Sequence, residues 1–520
     1  MNQVGPKKFP IGLSTLEKIV SDDFFYVDKT AYVEKLVQQG QYYFLSRPRR
    51  FGKSLLIDTL KQAFLGNKDL FNGLYLEKNW NWEETYPVIH FSFASNQVEK
   101  TTDILKIKIE SLLSSNAVEN QVVLRGELYS IQFTNLITDI YDKYHKKVVI
   151  LIDEYDKPIL DAIKNFALAE ESRNILRGLY SVIKELDGKI HFTLLTGVSK
   201  FGKAGVFSGL NNLNDITYDP QYGAICGYTQ NELEETFGAL LKPEELTETK
   251  RWYNGYSFLG AESVYNPFSI LNFFAKNKHY ANYWFASGTP TFLVQLLQKR
   301  KFYIPHLESI EVTDSSLLGF DIEKLPLVIL LLQTGYLTFQ SSKQRGARTI
   351  YTLSYPNLEV RHSLNDSLAS MCVDDEVKNA TYQAMDEALS QHRFDALKDV
   401  FSSLFSAIPH DWYRRNDIQH YEGFYCAIIY AYFMGLGYKT IAEDVTSQGR
   451  IDLTVFLENS IIIIEFKLST QGNAASAIAQ IKEKHYADKY VSHKKTIYLL
   501  GLSFDPLHRN VQDCVFESVK

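Results

Sequence analysis

Apolar residues recur along this chain in short bursts, and each burst ends on polar residues of a particular kind. Residues 42–45 (Tyr-Tyr-Phe-Leu) predict a short buried strand, and residues 55–65 carry helical spacing that stops at Gly66. Between them lies Ser46-Arg47-Pro48-Arg49-Arg50-Phe51-Gly52-Lys53-Ser54. Residues 147–152 (Lys-Val-Val-Ile-Leu-Ile) predict a second buried strand, which runs into Asp153-Glu154. A third, 190–195, runs into Thr196-Gly197-Val198-Ser199-Lys200. From about 228 to 370 the pattern is largely helical with short strands. Thr229 is an N-cap there, and Glu232 completes a capping box. Residues 372–410 read as helix bridging to the C-terminal part.

The C-terminal pattern is the most regular. Residues 421–434 predict a helix stopped near Gly435 and Gly437, and 438–443 a strand followed by a turn at 446–449. Residues 452–457 (Asp-Leu-Thr-Val-Phe-Leu) and the run Ile461-Ile462-Ile463-Ile464 form a hairpin around Glu458-Asn459-Ser460. The run closes on Glu465-Phe466-Lys467, and alternation puts Glu465 and Lys467 on one face. A two-residue loop at either end of the turn sets Asp452 opposite Glu465 or opposite Lys467, about 5 Å away. A helix at 474–491 and a last strand at 496–502 complete the order helix–strand–strand–strand–helix–strand.

Composition narrows the class. The chain has 520 residues, 45% apolar and 22% charged, which suits a soluble protein of two to four domains. Its longest apolar run, 327–332, is far below the roughly 18 residues a spanning helix requires. The first ten residues have no apolar signal-peptide core, so a cytoplasmic protein is expected. Cys226, Cys372, Cys426 and Cys514 form no CxxC pair and read as reduced core residues. With a net charge of −6, contact with nucleic acid has to be local. Three basic stretches offer it, 47–53, 299–301 and 482–495, although most such runs are solvated faces.

The chemistry follows from strand ends. A strand–loop–helix unit around Gly52-Lys53-Ser54 suits a phosphate: helix amides cradle it, Lys53 reaches the outer phosphates and Ser54 ligates Mg²⁺. The general pattern G-x-x-x-x-G-K-S wants glycine where Arg47 stands. Asp153, at the end of a core strand, is the expected second Mg²⁺ partner, and Glu154 is placed to polarise the attacking water. Thr196 is either a γ-phosphate sensor or an ordinary strand exit. Near the C-terminus, Asp452, Glu465 and Lys467 suit hard-cation binding and phosphodiester hydrolysis. A surface hairpin with an Asp452–Lys467 salt bridge is the alternative.

The loop string 47–54 resembles the bacterial AAA-ATPase-like family that carries a C-terminal PD-(D/E)XK nuclease domain, in which the Arg-Pro-Arg-Arg-Phe-Gly-Lys-Ser form is usual. Other segments resemble it too. They include Phe25-Tyr26-Val27-Asp28-Lys29-Thr30, Leu151-Ile152-Asp153-Glu154-Tyr155-Asp156, Thr196 to Phe201 and Phe207-Ser208-Gly209-Leu210-Asn211-Asn212. Trp252-Tyr253-Asn254-Gly255-Tyr256, Tyr265-Asn266-Pro267-Phe268-Ser269, Thr334-Gly335-Tyr336-Leu337 and Tyr355-Pro356-Asn357-Leu358-Glu359-Val360 extend the match along nearly the whole chain.

The resemblance implies an α/β protein. An AAA-like P-loop domain (1–227) is followed by a helical lid or winged-helix-like region (228–371), a helical bridge (372–410) and a restriction-endonuclease-like domain (411–520). It implies ATP held by Arg49, Arg50, Gly52, Lys53, Ser54, Asp153 and Thr196. Mg²⁺ is expected at Ser54 and Asp153, and a second metal at Asp452, Glu465 and Glu422, the acid that many members carry on the first helix. Gln480 matches a glutamine of some branches. Tyr486 lies six residues on, which misses the Gln-x-x-x-Tyr spacing. The expected activity is an ATP-controlled nuclease acting on DNA, in defence or mobile-element biology. The alternative is a nucleotide-controlled switch whose nuclease-like domain binds without cutting. AAA-type ATPases often act as rings, which leaves room for a homo-oligomer, and no membrane partner is expected.

Overall fold

The strand β1 (Tyr42–Ser46) is almost wholly buried: β4 and β5 pair along its two edges, and helices cover both faces of a parallel sheet. With β2 (Val88–Ser92), β3 (Val148–Asp153), β4 (Ile190–Gly197) and β5 (Asn214–Asp215) it forms a five-stranded sheet in the order β2–β3–β4–β1–β5. Every pairing in it is parallel, so the carboxyl ends of β1, β3 and β4 lie along one edge. In open α/β sheets, ligands bind outside such an edge. The apolar run of β3 has no exposed residue, which is why its sequence shows no alternation.

The computed structural model describes residues 7–94, 101–200, 210, 212–287, 293, 296, 297, 302–318, 326–408 and 422–519. The basic stretch 299–301, Phe201 and all of the segment 207–212 but Leu210 and Asn212 lie outside the described residues. The chain divides into two compact units, Met1–Gly288 with Glu311–Glu359, and Thr289–Ile310 with Val360–Lys520. No helix of the described residues is long and apolar enough to cross a membrane. All four cysteines are free thiols, three of them buried.

In the first unit, the helix after β1 is Lys53–Phe64 and starts two residues earlier than the apolar spacing suggested. Gly52 sets that start by taking a left-handed conformation, φ +91°, which costs glycine little. The capping box at Thr229 and Glu232 is present in full on the helix Gln230–Phe237. Glu232 also receives the buried Lys29 ammonium at 2.5 Å, which ties the Asp28-Lys29-Thr30 segment to that helix. Beyond it lie the helices Pro243–Tyr253, Pro267–Ala275 and Leu327–Thr334. Three strands, β6 (Ile310–Thr313), β7 (Thr338–Arg345) and β8 (Arg348–Ser354), form a sheet in the order β6–β8–β7.

Glu359 is fully buried in this unit and pushed up to about 8, chiefly by desolvation. The unfolded chain ionises such a carboxyl above about pH 4.3, whereas the folded one stays protonated until about 8. Its contribution to stability is therefore complete below pH 4 and shrinks as pH rises through that window, by up to about 1.4 kcal/mol per unit. Glu359→Gln should remove the slope. Urea unfolding of both proteins at several pH values checks this: the advantage of the variant should grow from pH 5 to pH 8. A constant difference would mean that the buried carboxyl is already ionised.

The second unit is built on β9 (Lys439–Val445), β10 (Arg450–Phe456), β11 (Ser460–Leu468), β12 (Thr496–Asp505) and β13 (Asn510–Val519). Their order is β13–β12–β11–β10–β9, with β11 and β12 parallel and the other pairs antiparallel. The helix Glu422–Gly435 precedes the sheet. The helix Ala474–Glu483 covers the face that presents Ile461 and Ile463, through Ile478 and Ile481. Each of these isoleucines contributes about 1.5–3 kcal/mol by leaving water.

Two expectations are corrected here. The helix expected over 474–491 stops at Glu483, because His485 turns left-handed at φ +51°, and Tyr486–His493 follows as a 3-10 helix. The last strand is not the last: β13 follows β12 at the edge of the sheet.

Candidate active sites

The phosphate-type loop is held by its carbonyls. Lys53 Nζ donates to Arg47 O and Pro48 O, each at 3.0 Å, Trp284 Nε1 to Arg49 O at 3.0 Å, and Gly227 N to Phe51 O at 3.3 Å. By contrast, the backbone amides of residues 49–55 have no hydrogen-bond partner among the described residues. A loop with occupied carbonyls and free amides is an anion cradle, and the first turn of the helix Lys53–Phe64 adds its own donors. Arg50 also turns left-handed, φ +66°, and its guanidinium lies 5.0 Å over Phe268.

Arg47 has another task. It is fully buried and points away from the cradle, donating to Ser46 O, Thr217 O and Tyr222 O and stacking on Phe258 at 4.0 Å. The side chain at the expected glycine position thus fastens β1 to the segment after β5.

The ends of β3 and β4 meet the loop. Ser54 Oγ donates to Asp153 Oδ2 at 2.5 Å, and Thr196 Oγ1 to Asp153 Oδ1 at 2.7 Å. Three residues from three elements are thereby joined through one buried carboxylate. Glu154 follows in a left-handed conformation, φ +53°, costly for a residue with a side chain. Asp156 is buried and raised to about 6 by desolvation, and it accepts from the amides of Val198 and Ser199. This buried acid holds the loop after Thr196. In the sequence it stands only as the last residue of the segment 151–156, with no role of its own.

The second site sits where regular pairing breaks. The hairpin loop is the two residues Glu458-Asn459, closed by Leu457 N on Ser460 O at 2.9 Å. That choice sets Asp452 against Glu465, because β10 and β11 pair from Phe456–Ile461 up to Leu453–Ile464 and stop. Side chains then take over from the ladder. Asp452 N donates to Glu465 Oε1 at 3.3 Å, and Phe466 N donates to Asp452 Oδ2 at 2.8 Å. On the other side of β10, pairing with β9 steps over Glu443, which is left-handed at φ +50°.

Burial raises the pKa of both Asp452 and Glu465, and their mutual repulsion adds to it for Glu465. Lys467 pulls both down, but it forms no ion pair within 4.0 Å among the described residues, so the Asp452–Lys467 salt bridge is absent. Glu422 is raised by burial and then by Asp452. Its Oε2 is buried with no hydrogen-bond partner among the described residues. Gln480 Nε2 donates to Glu465 Oε2 at 2.8 Å across the helix–sheet gap. Tyr486 stands nearby, its hydroxyl 2.7 Å from where a side chain on Gly449 would begin.

Oxygen donors, crowded acids and one orphaned carboxylate oxygen are the right chemistry for a hard divalent cation. As they stand, no three His, Cys, Asp or Glu residues are grouped closely enough to enclose a metal among the described residues.

Two family models match the chain. One, described as a predicted AAA-ATPase, covers residues 10–207, and the PD-(D/E)XK nuclease superfamily covers 420–514. An uncharacterized protein in the vnfD 5' region of Azotobacter chroococcum mcd 1 is 43% identical over 516 residues, 99% of each chain. The chain belongs to the AAA-ATPase-like family with a C-terminal PD-(D/E)XK domain. The family match at the N-terminus contains Arg49, Arg50, Gly52, Lys53, Ser54, Asp153, Glu154 and Thr196. That at the C-terminus contains Glu422, Asp452, Glu465, Lys467 and Gln480. Trp284 and Glu443, which also border these sites, carried no motif signal of their own.

Proposed function

We propose that this AAA-ATPase-like protein binds and hydrolyses ATP with its first unit and cuts phosphodiester bonds in DNA with its second. The nucleotide controls the cutting. The observation that carries the reading is the meeting of Asp452 and Glu465 where β10 and β11 stop pairing, with Lys467 two residues along the same strand. Two acids raised by burial, Glu465 further by the charge of Asp452, are unfavourable unless something positive joins them.

Asp452 and Glu465, assisted by Glu422, would hold a divalent cation, and Gln480 fixes the orientation of the Glu465 carboxylate. When bound, that cation supplies charge neutralisation at the scissile phosphate. Lys467 stabilises the negative charge that grows on the phosphoryl oxygens as water bonds to phosphorus and the bond to the sugar oxygen breaks. In the first unit, the free amides of residues 49–55 and Lys53 would bind the ATP phosphates. Ser54 and Asp153 would hold Mg²⁺, Glu154 would orient the attacking water and Thr196 would orient Asp153. Arg49 and Arg50 add positive charge to the loop. A role against foreign DNA or in mobile elements accords with this pairing of activities.

One observation favours the alternative, a nucleotide-controlled switch that binds nucleic acid without cutting: the acids are not grouped to enclose a metal. A nuclease assay on linear, circular and single-stranded DNA separates the two, run with Mg²⁺ or Mn²⁺, with and without ATP. Cutting that needs ATP and disappears in Lys53→Ala supports the proposal. Nucleotide binding lost in Lys53→Ala, with all three DNAs intact in the wild type, favours the switch.

A further inference from the structure

The loop that cradles phosphate is tied to the far end of its own unit by one tryptophan. Trp284 lies in the short helix Tyr283–Ala286 and is 5% exposed. Its indole Nε1 donates to Arg49 O at 3.0 Å, at the turn of the loop. Its backbone amide donates to Glu359 Oε1 at 2.6 Å. The other oxygen of Glu359 accepts from Ser269 Oγ at 2.7 Å, at the start of the helix Pro267–Ala275. Packing closes the connection. A side chain on Gly335 would begin 2.8 Å from Pro48 Cβ and 3.4 Å from Trp284 Cζ2, so loop, tryptophan and glycine are in direct contact. Gly335 itself stands at φ +91°, ending the helix Leu327–Thr334.

Glu359 has a special place in the chain. It is the second residue of the helix Leu358–Cys372, and the first compact unit ends at it. From Val360 onward the same helix belongs to the second unit. A rigid element that begins at the anchor of the loop therefore carries the chain out of the unit. Helices resist bending, so a displacement at Glu359 is felt along the helix.

We infer that Trp284 and Glu359 are positioning residues that couple the phosphate-binding loop to the helix Leu358–Cys372 and through it to the second unit. When phosphate occupies the free amides, the Arg49–Arg50 turn settles around it. The Arg49 carbonyl shifts its demand on the indole N–H, and the Trp284–Glu359 bond passes the change to the first turn of the helix. Trp284 acts through Arg49, and Glu359 acts through Trp284. The inference rests on the proposed nucleotide site and adds the route by which that site speaks to the rest of the chain. The coupling along this route is a measurable quantity.

Hydrogen exchange of the full-length protein with and without MgATP measures it, read on the peptides covering 47–54 and 358–372. In the wild type both should slow, the second by about fivefold. In Trp284→Phe, which keeps an aromatic ring and loses the pyrrole part with its N–H, protection at 358–372 should fall by about threefold or more relative to that at 47–54. Glu359→Ala should do the same. Glu359→Gln, which keeps an acceptor for the Trp284 amide, should restore the wild-type ratio, and a purely space-filling role would not produce that rescue. The inference is overturned if Trp284→Phe and Glu359→Ala keep the ratio, or if wild-type protection stops at 47–54. If the wild type shows no protection at 47–54 and matches Lys53→Ala, the nucleotide reading itself falls and takes this one with it.

Discussion

Lys467→Ala should leave a folded protein that still binds ATP and no longer cuts DNA, with the cleavage rate down by about 10³-fold. The size follows from where the ammonium stands. It shares a strand with Glu465 and attracts both Asp452 and Glu465, yet it is not neutralised by an ion pair within 4.0 Å among the described residues. A cation kept near two acids without closing on either is available to a third anion, and a phosphoryl group passing through its transition state is such an anion. Asp452→Ala should lose as much. That change also deprives the Phe466 amide of its acceptor, so its effect mixes chemistry with local structure. Lys467→Ala is the cleaner test because no hydrogen bond among the described residues depends on it. Single-turnover cleavage should be measured with excess enzyme, beside thermal unfolding. A rate within about threefold of wild type at unchanged stability would remove Lys467 from the mechanism and favour the non-cutting switch.

Much of this was readable from residues 452–467 alone, and the reason is burial. An isoleucine run with no exposed member can only be a core strand, and polar residues at its end are held where the core stops. The same logic made β3 and Asp153 legible. What stayed open was register, because sliding a two-residue loop by one residue along the turn shifts the partner by two positions. Leu457 bonding to Ser460 resolved it in favour of Glu465.

Other elements were hidden for identifiable causes. β13 is a half-exposed edge strand, so its apolar and polar positions do not alternate cleanly. The end of the helix Ala474–Glu483 depends on His485 adopting a left-handed backbone; histidine enters that region more often than most side chains, but too seldom for its presence alone to announce a helix end. Trp284 and Glu359 are far apart in sequence from the loop they border, and only tertiary structure brings them to it. The generic pattern for the loop misread Arg47 because it describes what lies over the phosphate and not what lies beneath it.

Arg47→Gly, the change that would make the loop conform to the general pattern, should therefore damage the protein. Arg47 is fully buried, and three backbone carbonyls depend on its guanidinium: Ser46 O at 2.9 Å, Thr217 O at 2.6 Å and Tyr222 O at 2.9 Å. Burial lowers it to about 10, which leaves it charged at neutral pH. Removing the side chain leaves those carbonyls without their donor, at about 1–3 kcal/mol for each that water does not reach, and opens a void beneath Phe258. A loss of about 3 kcal/mol or more is expected, a drop of roughly 6–12 °C in the first unit's unfolding midpoint. ATP affinity should fall as well, since Ser46 and the start of the loop lose their fastening to the segment after β5. Arg47→Lys should recover only part of the stability, because one ammonium cannot reach three carbonyls held in the plane of a guanidinium. Calorimetry of both variants, with ATP titrations below the midpoint, decides the matter. A midpoint for Arg47→Gly within about 1 °C of wild type would mean that the buried arginine is dispensable, and that the loop is held by Lys53, Trp284 and Gly227 without it.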